Sequence, residues 1–372
     1  MKKIVIVSAL MLIFSANSRA ADNVQLFPDE LMISDSETTA TMQKSEEEAA
    51  EESQSTGIFG FITRPFSKLF SGDKTESAEV EVEDAIEKMK RTADEGDVES
   101  QLDLAYMYLY GTDEIEQNLE LAIKYYEMAA AQNDPIALNN LGSLYFSGIG
   151  TKRNIGKSLV YFQKAADLGN DNAQINLAFI NLAGGKKDET RNKKAVEMFK
   201  AAKDKNNIAK FMLGYAYYTG FVVSQDYEKA FKLIKEAAEG DAQIDEAQLV
   251  LAEMYAYGRG TVQNYQNAIN FYRSSVNQNN LEAAMMLGNI YAAGIICEKN
   301  NIAAHTLFNI AASKNVPDAA EQREKVAQEM KLEELDKAQS SAQEYQSAPS
   351  ELTEYIRQTY GTNIRRYIDN NM

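Results

Sequence analysis

Several residue types are scarce in this chain of 372 residues, which has one cysteine, one histidine, five prolines and no tryptophan. A lone Cys297 excludes an internal disulfide, so the fold must depend on its hydrophobic core. A lone His305 has no histidine, cysteine or paired carboxylate at ligand spacing, which argues against a zinc site. Basic residues are outnumbered, 38 against 55 acidic ones. Such an acidic balance argues against nucleic acid, whose phosphates require lysine and arginine.

Long apolar runs are also missing. The run "IVIVSALMLIF" near the start is eleven residues long, which is too short to cross a hydrocarbon core of roughly 30 Å. It follows Lys2 and Lys3, and small residues stand at the end of "SRA", which closes at Ala20. This order is typical of an export signal. We expect residues 1–20 to be cleaved and the protein to work in the periplasm, at the outer membrane or at the cell surface.

Residues 21–79 have no sustained hydrophobic period and are dominated by Ser, Thr, Glu and Ala. We expect an acidic disordered linker, because this composition buries too little surface to offset its ordering entropy. Residues 57–70, "GIFGFITRPFSKLF", are the exception. Their predicted docking side chains are Ile58, Phe59, Phe61, Phe66 and Phe70.

The segment 57–70 cannot order by itself. Burying its large apolar side chains gains about 2 kcal/mol each, whereas ordering each of its residues costs about 1.5 kcal/mol. It therefore needs a preformed surface. We predict a protein contact, either with the chain's own repeats or with a partner that competes for them. Peripheral membrane association is the second alternative, since two basic residues are few for a lipid anchor.

From about Val80 the chain repeats itself. Six segments similar to "ALNNLGSLYFSG" begin 36–38 residues apart, a period typical of helical repeat arrays. In each segment a leucine precedes a small residue, then an aromatic one (Asn181 in the third repeat), then a glycine. The leucines are Leu104, Leu141, Leu177, Leu213, Leu251 and Leu287. These spacings predict one helical stripe, a close approach by a neighbouring helix at the small residue, and a helix end at the glycine.

A second helix is predicted in every repeat. Its expected N-caps are residue types that accept hydrogen bonds from free backbone amides. They are Asn118, Asn154, Thr190, Asp226, Asn264 and Asn300. At the two ends, "AIEKMKRTADEGD" and the charged residues 318–346 predict polar capping helices that stop further stacking. The tail, residues 347–372, has three open alternatives: it docks on the cap, binds a partner or stays loose.

These repeats resemble the Sel1-like family, relatives of tetratricopeptide repeats. Residues 137–173, "ALNNLGSLYFSGIGTKRNIGKSLVYFQKAADLGNDNA", carry the family pattern most closely, and the third repeat departs from it most. The resemblance implies an all-α, right-handed solenoid of about six helix-pair repeats over residues 80–317. It also implies a groove lined by the first helices. By analogy with tetratricopeptide repeats, the predicted partner-binding residues are Tyr106, Leu109, Phe146, Phe179, Phe211, Tyr215 and Tyr218.

Two classes of function are compatible with this sequence. The resemblance implies a non-catalytic scaffold that binds peptides or protein partners at the bacterial envelope, in envelope assembly or host interaction. The alternative is a periplasmic enzyme, or enzyme regulator, acting on cell-wall or polysaccharide components. No catalytic, metal-binding or cofactor-binding residues are identifiable, because no glycine-rich phosphate loop follows a strand and His305 stands alone. The sequence therefore favours the scaffold without a cofactor.

Overall fold

A computed structural model describes residues 86–112, 115–183, 188–240, 242–361 and 363–370 of the chain. Within these ranges the chain forms α-helices and connecting turns, with no strand. The predicted all-α class is therefore confirmed. The described residues form two compact units: the N-terminal unit contains residues 86–242 and 363–370, and the C-terminal unit contains residues 243–361.

The N-terminal unit holds four repeats, each a pair of antiparallel helices. Residues 86–94 are helical and form α1. The repeat helices are α2 (Val98–Tyr110), α3 (Leu119–Ala131), α4 (Pro135–Ser147), α5 (Ile155–Asp167), α6 (Asp171–Ala183), α7 (Glu189–Ala202), α8 (Asn207–Thr219) and α9 (Tyr227–Ala238). The short helix α17 (Arg366–Asp369) belongs to the same unit and packs against α6.

The C-terminal unit holds the remaining two repeats and the helices that follow them. These are α10 (Asp245–Tyr257), α11 (Tyr265–Asn277), α12 (Leu281–Ala293), α13 (Asn301–Ser313), α14 (Ala319–Ala327), α15 (Leu332–Glu344) and α16 (Glu351–Tyr360). The single capping helix predicted over residues 318–346 is wrong: this region forms two helices, α14 and α15, and both pack against α13. Helix α15 begins with its own N-terminal cap, in which the Glu334 carboxylate accepts from the Lys331 backbone N–H at 2.7 Å.

Side-chain caps fix where the second helices start. Asn118, Asn154, Asp226, Asn264 and Asn300 each accept from a backbone N–H three residues on, at 2.9–3.0 Å. These five predicted caps are confirmed, and each satisfies an amide that has no partner inside the helix.

The predicted cap at Thr190 is wrong. Helix α7 begins at Glu189, and the side chain of Asp188 accepts from the Arg191 N–H at 3.0 Å. Two residues of capping type lie here, in the loop that departs most from the repeat. The carboxylate comes first and, being charged, is the stronger acceptor, so Thr190 falls inside the first helical turn.

Small residues bring the two helices of a repeat together, as predicted. A Cβ added at Gly142 would lie 2.6 Å from the Phe162 ring, and one added at Gly288 would lie 2.7 Å from the Phe308 ring. At Gly214 the nearest atom, Cγ1 of Ile234, would be 2.8 Å away. These distances are below ordinary van der Waals contact, so the second helix packs where any larger side chain would stand.

The helices are short relative to a bilayer. Within the described ranges, none combines the length and the apolar character that a membrane-spanning helix requires.

Candidate functional site

The predicted partner-binding residues lie on the first helices of repeats one to four. On α2, Tyr106 and Leu109 are half-buried, and on α4, Phe146 is exposed. On α6 and α8, Phe179, Phe211 and Tyr215 retain 7% or less of their exposure, while Tyr218 is half-buried. Their role in binding a partner stays a prediction, but the burial of Phe179 and Tyr215 has a visible cause.

Residues 363–370, which we term the C-terminal arm, lie on α6 and α8. The Tyr367 ring stands 4.9 Å from the Phe179 ring, centroid to centroid. The Tyr215 hydroxyl donates to Oδ1 of Asp369 at 2.7 Å. The guanidinium of Arg365 lies over the same Tyr215 ring, 5.7 Å from its centroid. The surface of these two helices therefore holds a peptide segment through a ring contact, a hydrogen bond and a cation–π contact.

Phe179 and Tyr215 reach the arm because both stand two residues after the repeat leucine. Each of these two rings contacts a second aromatic ring. Phe199 on α7 lies edge-on to Phe179 at 5.5 Å, and Tyr218 stacks on Tyr215 at 6.0 Å. Tyr227 on α9 meets Tyr218 edge-on at 5.7 Å. Aromatic side chains that are already ordered by their neighbours lose little entropy when a ligand binds, so this surface is preorganised.

A second docking site lies in the C-terminal unit, where α16 packs on repeat five. The Thr353 hydroxyl donates to Oε1 of Gln278 at 2.7 Å and accepts from the Asp245 N–H at 3.1 Å. The Ser350 hydroxyl donates to the Gln243 carbonyl at 3.1 Å. Hydrogen bonds thus tie the N-terminal turn of α16 to the start of α10 and to Gln278, which follows α11.

One turn further along α16, an ion pair continues this contact. Arg357 donates to Oδ2 of Asp245 at 2.7 Å, and the Asn280 amide donates to the same oxygen at 2.9 Å. The Asp245 side chain is only 3% exposed and that of Arg357 14%. A buried carboxylate loses its hydration, so it needs a cation and good hydrogen-bond geometry at close range.

Hydrogen bonds within repeat five fix the orientation of the Gln278 side chain that contacts α16. Its amide nitrogen donates to the Gln243 carbonyl at 2.6 Å and to Oε1 of Gln248 at 2.7 Å, which leaves its Oε1 for Thr353. Repeat one contains an equivalent pair, since Gln132 donates to Gln101 at 3.1 Å. The glutamine pair therefore occurs in repeats one and five, and in repeat five it helps to hold α16.

The chain between α15 and α16 is also attached to repeat five. The Tyr345 hydroxyl donates to the Val276 carbonyl at 2.6 Å, and the Ala348 N–H donates to the Asn277 carbonyl at 2.7 Å. Burial raises the pKa of Tyr345 to about 12, against a smaller opposing effect of Arg357. Residues 345–360 thus follow one continuous track on this repeat.

The lone histidine lines a polar cleft at the end of the array. His305 is 3% exposed, its Nδ1 has no hydrogen-bond partner, and its pKa is lowered by burial and by nearby Arg323. The cleft has a volume of about 450 Å³, and its walls include Asn309, Glu324 and Gln339. Arg323 is engaged by Asn309 and Glu324. The cleft lacks a paired nucleophile and base, so it does not form a recognisable catalytic set.

Among the described residues, Cys297 and the acidic side chains do not form a metal site. Burial raises the pKa of the half-buried Cys297 thiol, which makes the thiol less reactive. In the part of the chain that the structure describes, no three His, Cys, Asp or Glu side chains are grouped to hold a metal ion. The predicted docking segment 57–70 lies outside the described residues.

Sequence reasoning missed the four residues that hold α16: Asp245, Gln278, Thr353 and Arg357. A signal for the two on α16, Thr353 and Arg357, was present. In "SELTEYIRQTY", Thr353, Ile356, Arg357 and Tyr360 recur at helical spacing behind the cap Ser350, as in an amphipathic helix that needs a partner surface. Asp245 had no comparable signal, because a carboxylate at the start of a helix is usually a solvated first-turn residue.

The fold and this surface define an array of short antiparallel helix pairs that holds a peptide segment. The Sel1 repeat matches residues 98–134, 135–170, 171–207, 208–241, 245–280 and 281–316, more than half of the chain. The chain belongs to the Sel1 repeat family, as the sequence predicted. Sel1 repeat proteins are generally non-catalytic scaffolds for protein–protein interaction.

Among curated proteins, the chain is 34% identical over 93 residues to "DAP3-binding cell death enhancer 1" of Rattus norvegicus, covering 25% of this chain and 18% of that protein. It is 29% identical over 186 residues to an uncharacterized protein of Neisseria meningitidis serogroup B, covering 48% of this chain and 36% of that one. The matches thus span about a fifth and about a third of these relatives.

Among solved structures, a Sel1 repeat protein from Oxalobacter formigenes is similar, with a TM-score of 0.54 and 24% identity. The likeness covers 62% of this chain and 99% of that one, and it shows the shared fold.

Proposed function

We propose that this protein is an exported, non-catalytic scaffold of the bacterial cell envelope that binds peptide segments of partner proteins. The observation that carries the proposal is the C-terminal arm on α6 and α8. Phe179 and Tyr215 hold Tyr367, Arg365 and Asp369 by side-chain contacts. A surface that holds one peptide segment in this way has the chemistry to hold another. The name of the rat relative, which states that it binds DAP3, describes a protein binder and supports the same class of function.

Export rests on the first twenty residues, where Lys2 and Lys3 precede a short apolar run and small residues end at Ala20. An envelope location would place the scaffold where it could support envelope assembly or contact with a host. Cell fractionation and N-terminal sequencing test this part. Mature protein beginning at Ala21 in the periplasmic or outer-membrane fraction is expected, and full-length protein in the cytoplasm would contradict it.

Site-specific cross-linking tests the binding role. A photoreactive amino acid replaces Tyr218, half-buried beside Tyr215 on α8, in one variant. The matched control carries it at Val160, which is 55% exposed on α5. We expect a discrete cross-linked partner from position 218 and none from position 160. That partner, once identified and purified, must also bind the wild-type protein in solution. Equal products from both positions, or no binding by the purified partner, would refute the proposal.

A further inference from the structure

We infer that the C-terminal arm is a resident competitor for the α6–α8 surface, and that the partner segment which displaces it has the arm's own chemistry. This inference rests on the proposed function and specifies its ligand. The segment carries two apolar side chains four residues apart, an arginine after the first, an aromatic residue before the second and a carboxylate after it. In the arm these are Ile364, Arg365, Tyr367, Ile368 and Asp369.

Each element of that pattern has a contact or a burial that explains it. Ile364 and Ile368 are fully buried, and a spacing of four places them on one side of a single turn. The basic group meets the face of the Tyr215 ring, while the carboxylate accepts from the hydroxyl of the same tyrosine. Tyr215 therefore contacts a positive and a negative group of one short segment. A purely apolar peptide has neither group and makes neither contact.

The arm is attached through one short turn, which also buries Ile364 and Ile368. Tyr367, Asp369 and Arg365 hold it on α6 and α8 through a ring contact, a hydrogen bond and a cation–π contact. It is joined to the firmly docked α16 through Gly361, whose φ of 98° is a conformation that other residues rarely adopt. An exchange of residues 363–370 therefore leaves the Asp245–Arg357 pair in place.

Repeat one carries a tyrosine, Tyr106 on α2, at the position that Phe179 and Tyr215 occupy in repeats three and four, two residues after the leucine. Tyr106 is half-buried, with its ring 4.6 Å from that of Tyr110, and Tyr110 is 45% exposed. An intramolecular arm has the advantage of a high effective concentration. A partner overcomes it by carrying the same turn and also reaching these two tyrosines.

The test uses the full chain and a labelled synthetic peptide, NIRRYIDN, which is residues 363–370. Binding is followed by fluorescence anisotropy for wild type, for a double variant Tyr367→Ala/Asp369→Ala, and for the control Asn370→Ala at an exposed position of the arm. When the arm is undocked in only a few per cent of wild-type molecules, abolishing its docking frees the surface and raises the apparent peptide affinity about 10-fold or more. We expect that gain in the double variant and wild-type affinity in the control.

A second measurement follows the arm directly in the wild-type chain. Arg365 is 6% exposed, so trypsin cleavage after it requires the arm to leave its surface. The free peptide contains the same arginines and is itself cut by trypsin, so its effect is followed by hydrogen–deuterium exchange of the arm's Ile368 and Asp369 amides, which donate to the Arg365 carbonyl. Excess NIRRYIDN should accelerate this exchange, whereas a peptide with alanine in place of its tyrosine and aspartate should not.

Two outcomes would overturn the inference. In the first, wild type and double variant bind the peptide equally, which means that the arm does not compete. In the second, neither protein binds it, which means that the surface does not accept this chemistry from outside. Both leave the cross-linking result from Tyr218 unaffected. Conversely, tight peptide binding without any cross-linked partner would reject the proposed function alone.

Discussion

The two places where the chain after residue 344 docks differ in their chemistry. In the C-terminal unit, α16 is held on repeat five by hydrogen bonds and by a buried ion pair, Arg357–Asp245 at 2.7 Å. In the N-terminal unit, the C-terminal arm is held on α6 and α8 by rings, with one hydrogen bond from Tyr215. Both attachments also bury isoleucines, Ile356 on α16 and Ile364 and Ile368 on the arm. The difference lies in the groups beside them, which are mainly polar on repeat five and mainly aromatic on α6 and α8.

The difference shows what each attachment can do. A buried ion pair is demanding in geometry and costly to break, since the remaining charge is left in a poor solvent. It suits a permanent attachment. Aromatic contacts tolerate displacement and replacement by another ring, which suits an exchangeable one. We therefore interpret α16 as part of the folded array and the arm as a ligand of it.

The largest effect is expected from Arg357→Ala. This change leaves the Asp245 carboxylate buried without its cation, and it should lower the free energy of unfolding by about 3–5 kcal/mol. Urea denaturation of the full chain gives the value. The double variant Arg357→Ala/Asp245→Asn removes the uncompensated charge and should recover part of the loss. A double variant no more stable than the single one would show that the ion pair is not the cause.

Thr353→Val should have the next largest effect. It leaves the buried Asp245 N–H without its acceptor and removes one of the two donors to Gln278 Oε1, which keeps the Ser350 N–H. The expected cost is about 1–3 kcal/mol. Thr353→Ser keeps the hydroxyl and serves as the matched control. Thermal unfolding monitored by circular dichroism distinguishes the two variants. Equal melting temperatures for valine and serine would mean that packing rather than hydrogen bonding holds α16.

Asp103 on α2 is a carboxyl for which no neighbouring cation offsets burial, in contrast to Asp245 with Arg357. The variant Asp103→Asn tests what this costs in stability. Burial, together with Glu99 and Asp97, raises the pKa of Asp103 to about 6. The folded state therefore binds this proton more tightly than the unfolded state, whose pKa is near 3.8, and stability falls as pH rises from about 4 to 6. Because the side chain is only half-buried, we expect asparagine to stabilise the protein at pH 7 by about 1 kcal/mol.

Urea denaturation of this variant and of wild type at pH 3.5 and pH 7 tests the predicted difference in their free energies of unfolding. The advantage of asparagine should disappear at the lower pH, where Asp103 is protonated in both states. A variant that is less stable than wild type at pH 7 would contradict the assignment.

Tyr215→Phe should have the smallest effect on global stability, because its hydroxyl donates to the short arm, at Asp369. The loss of the bond to Asp369 should weaken arm docking by about 1 kcal/mol, or roughly fivefold. The readout is the rate of tryptic cleavage after Arg365. Tyr217→Phe, at the neighbouring half-buried position, is the control and should leave that rate unchanged. A cleavage rate unaffected by Tyr215→Phe would mean that the hydrogen bond does not contribute to arm binding.

The repeat fold was predictable because its signals are local. The caps Asn118 and Asn264, the close contact at Gly142 and the terminal glycines each act within one helix pair, and the 36–38-residue period repeats them. Among the six predicted caps of the second helices, Thr190 was wrong, because Asp188 offered a competing cap two residues earlier. The aromatic positions on α6 and α8 were also identifiable, because they keep a fixed distance from the repeat leucine.

The occupancy of that surface was not predictable in the same way. Tyr215 and Asp369 are 154 residues apart in the chain, and Asp245 and Arg357 are 112 apart. Nothing in a local pattern links such pairs, and the tail sequence alone left docking, partner binding and disorder as equal alternatives.

By itself, the sequence determined the helix pairs, their caps and their close approach, because these depend on residues within about forty positions of one another. Only the tertiary structure decided which surface the tail covers. That choice depends on whether buried carboxylates, amides and rings find complementary groups, and those groups come together only once the repeats have stacked and placed Gln278, Asp245 and Tyr215 at the surface.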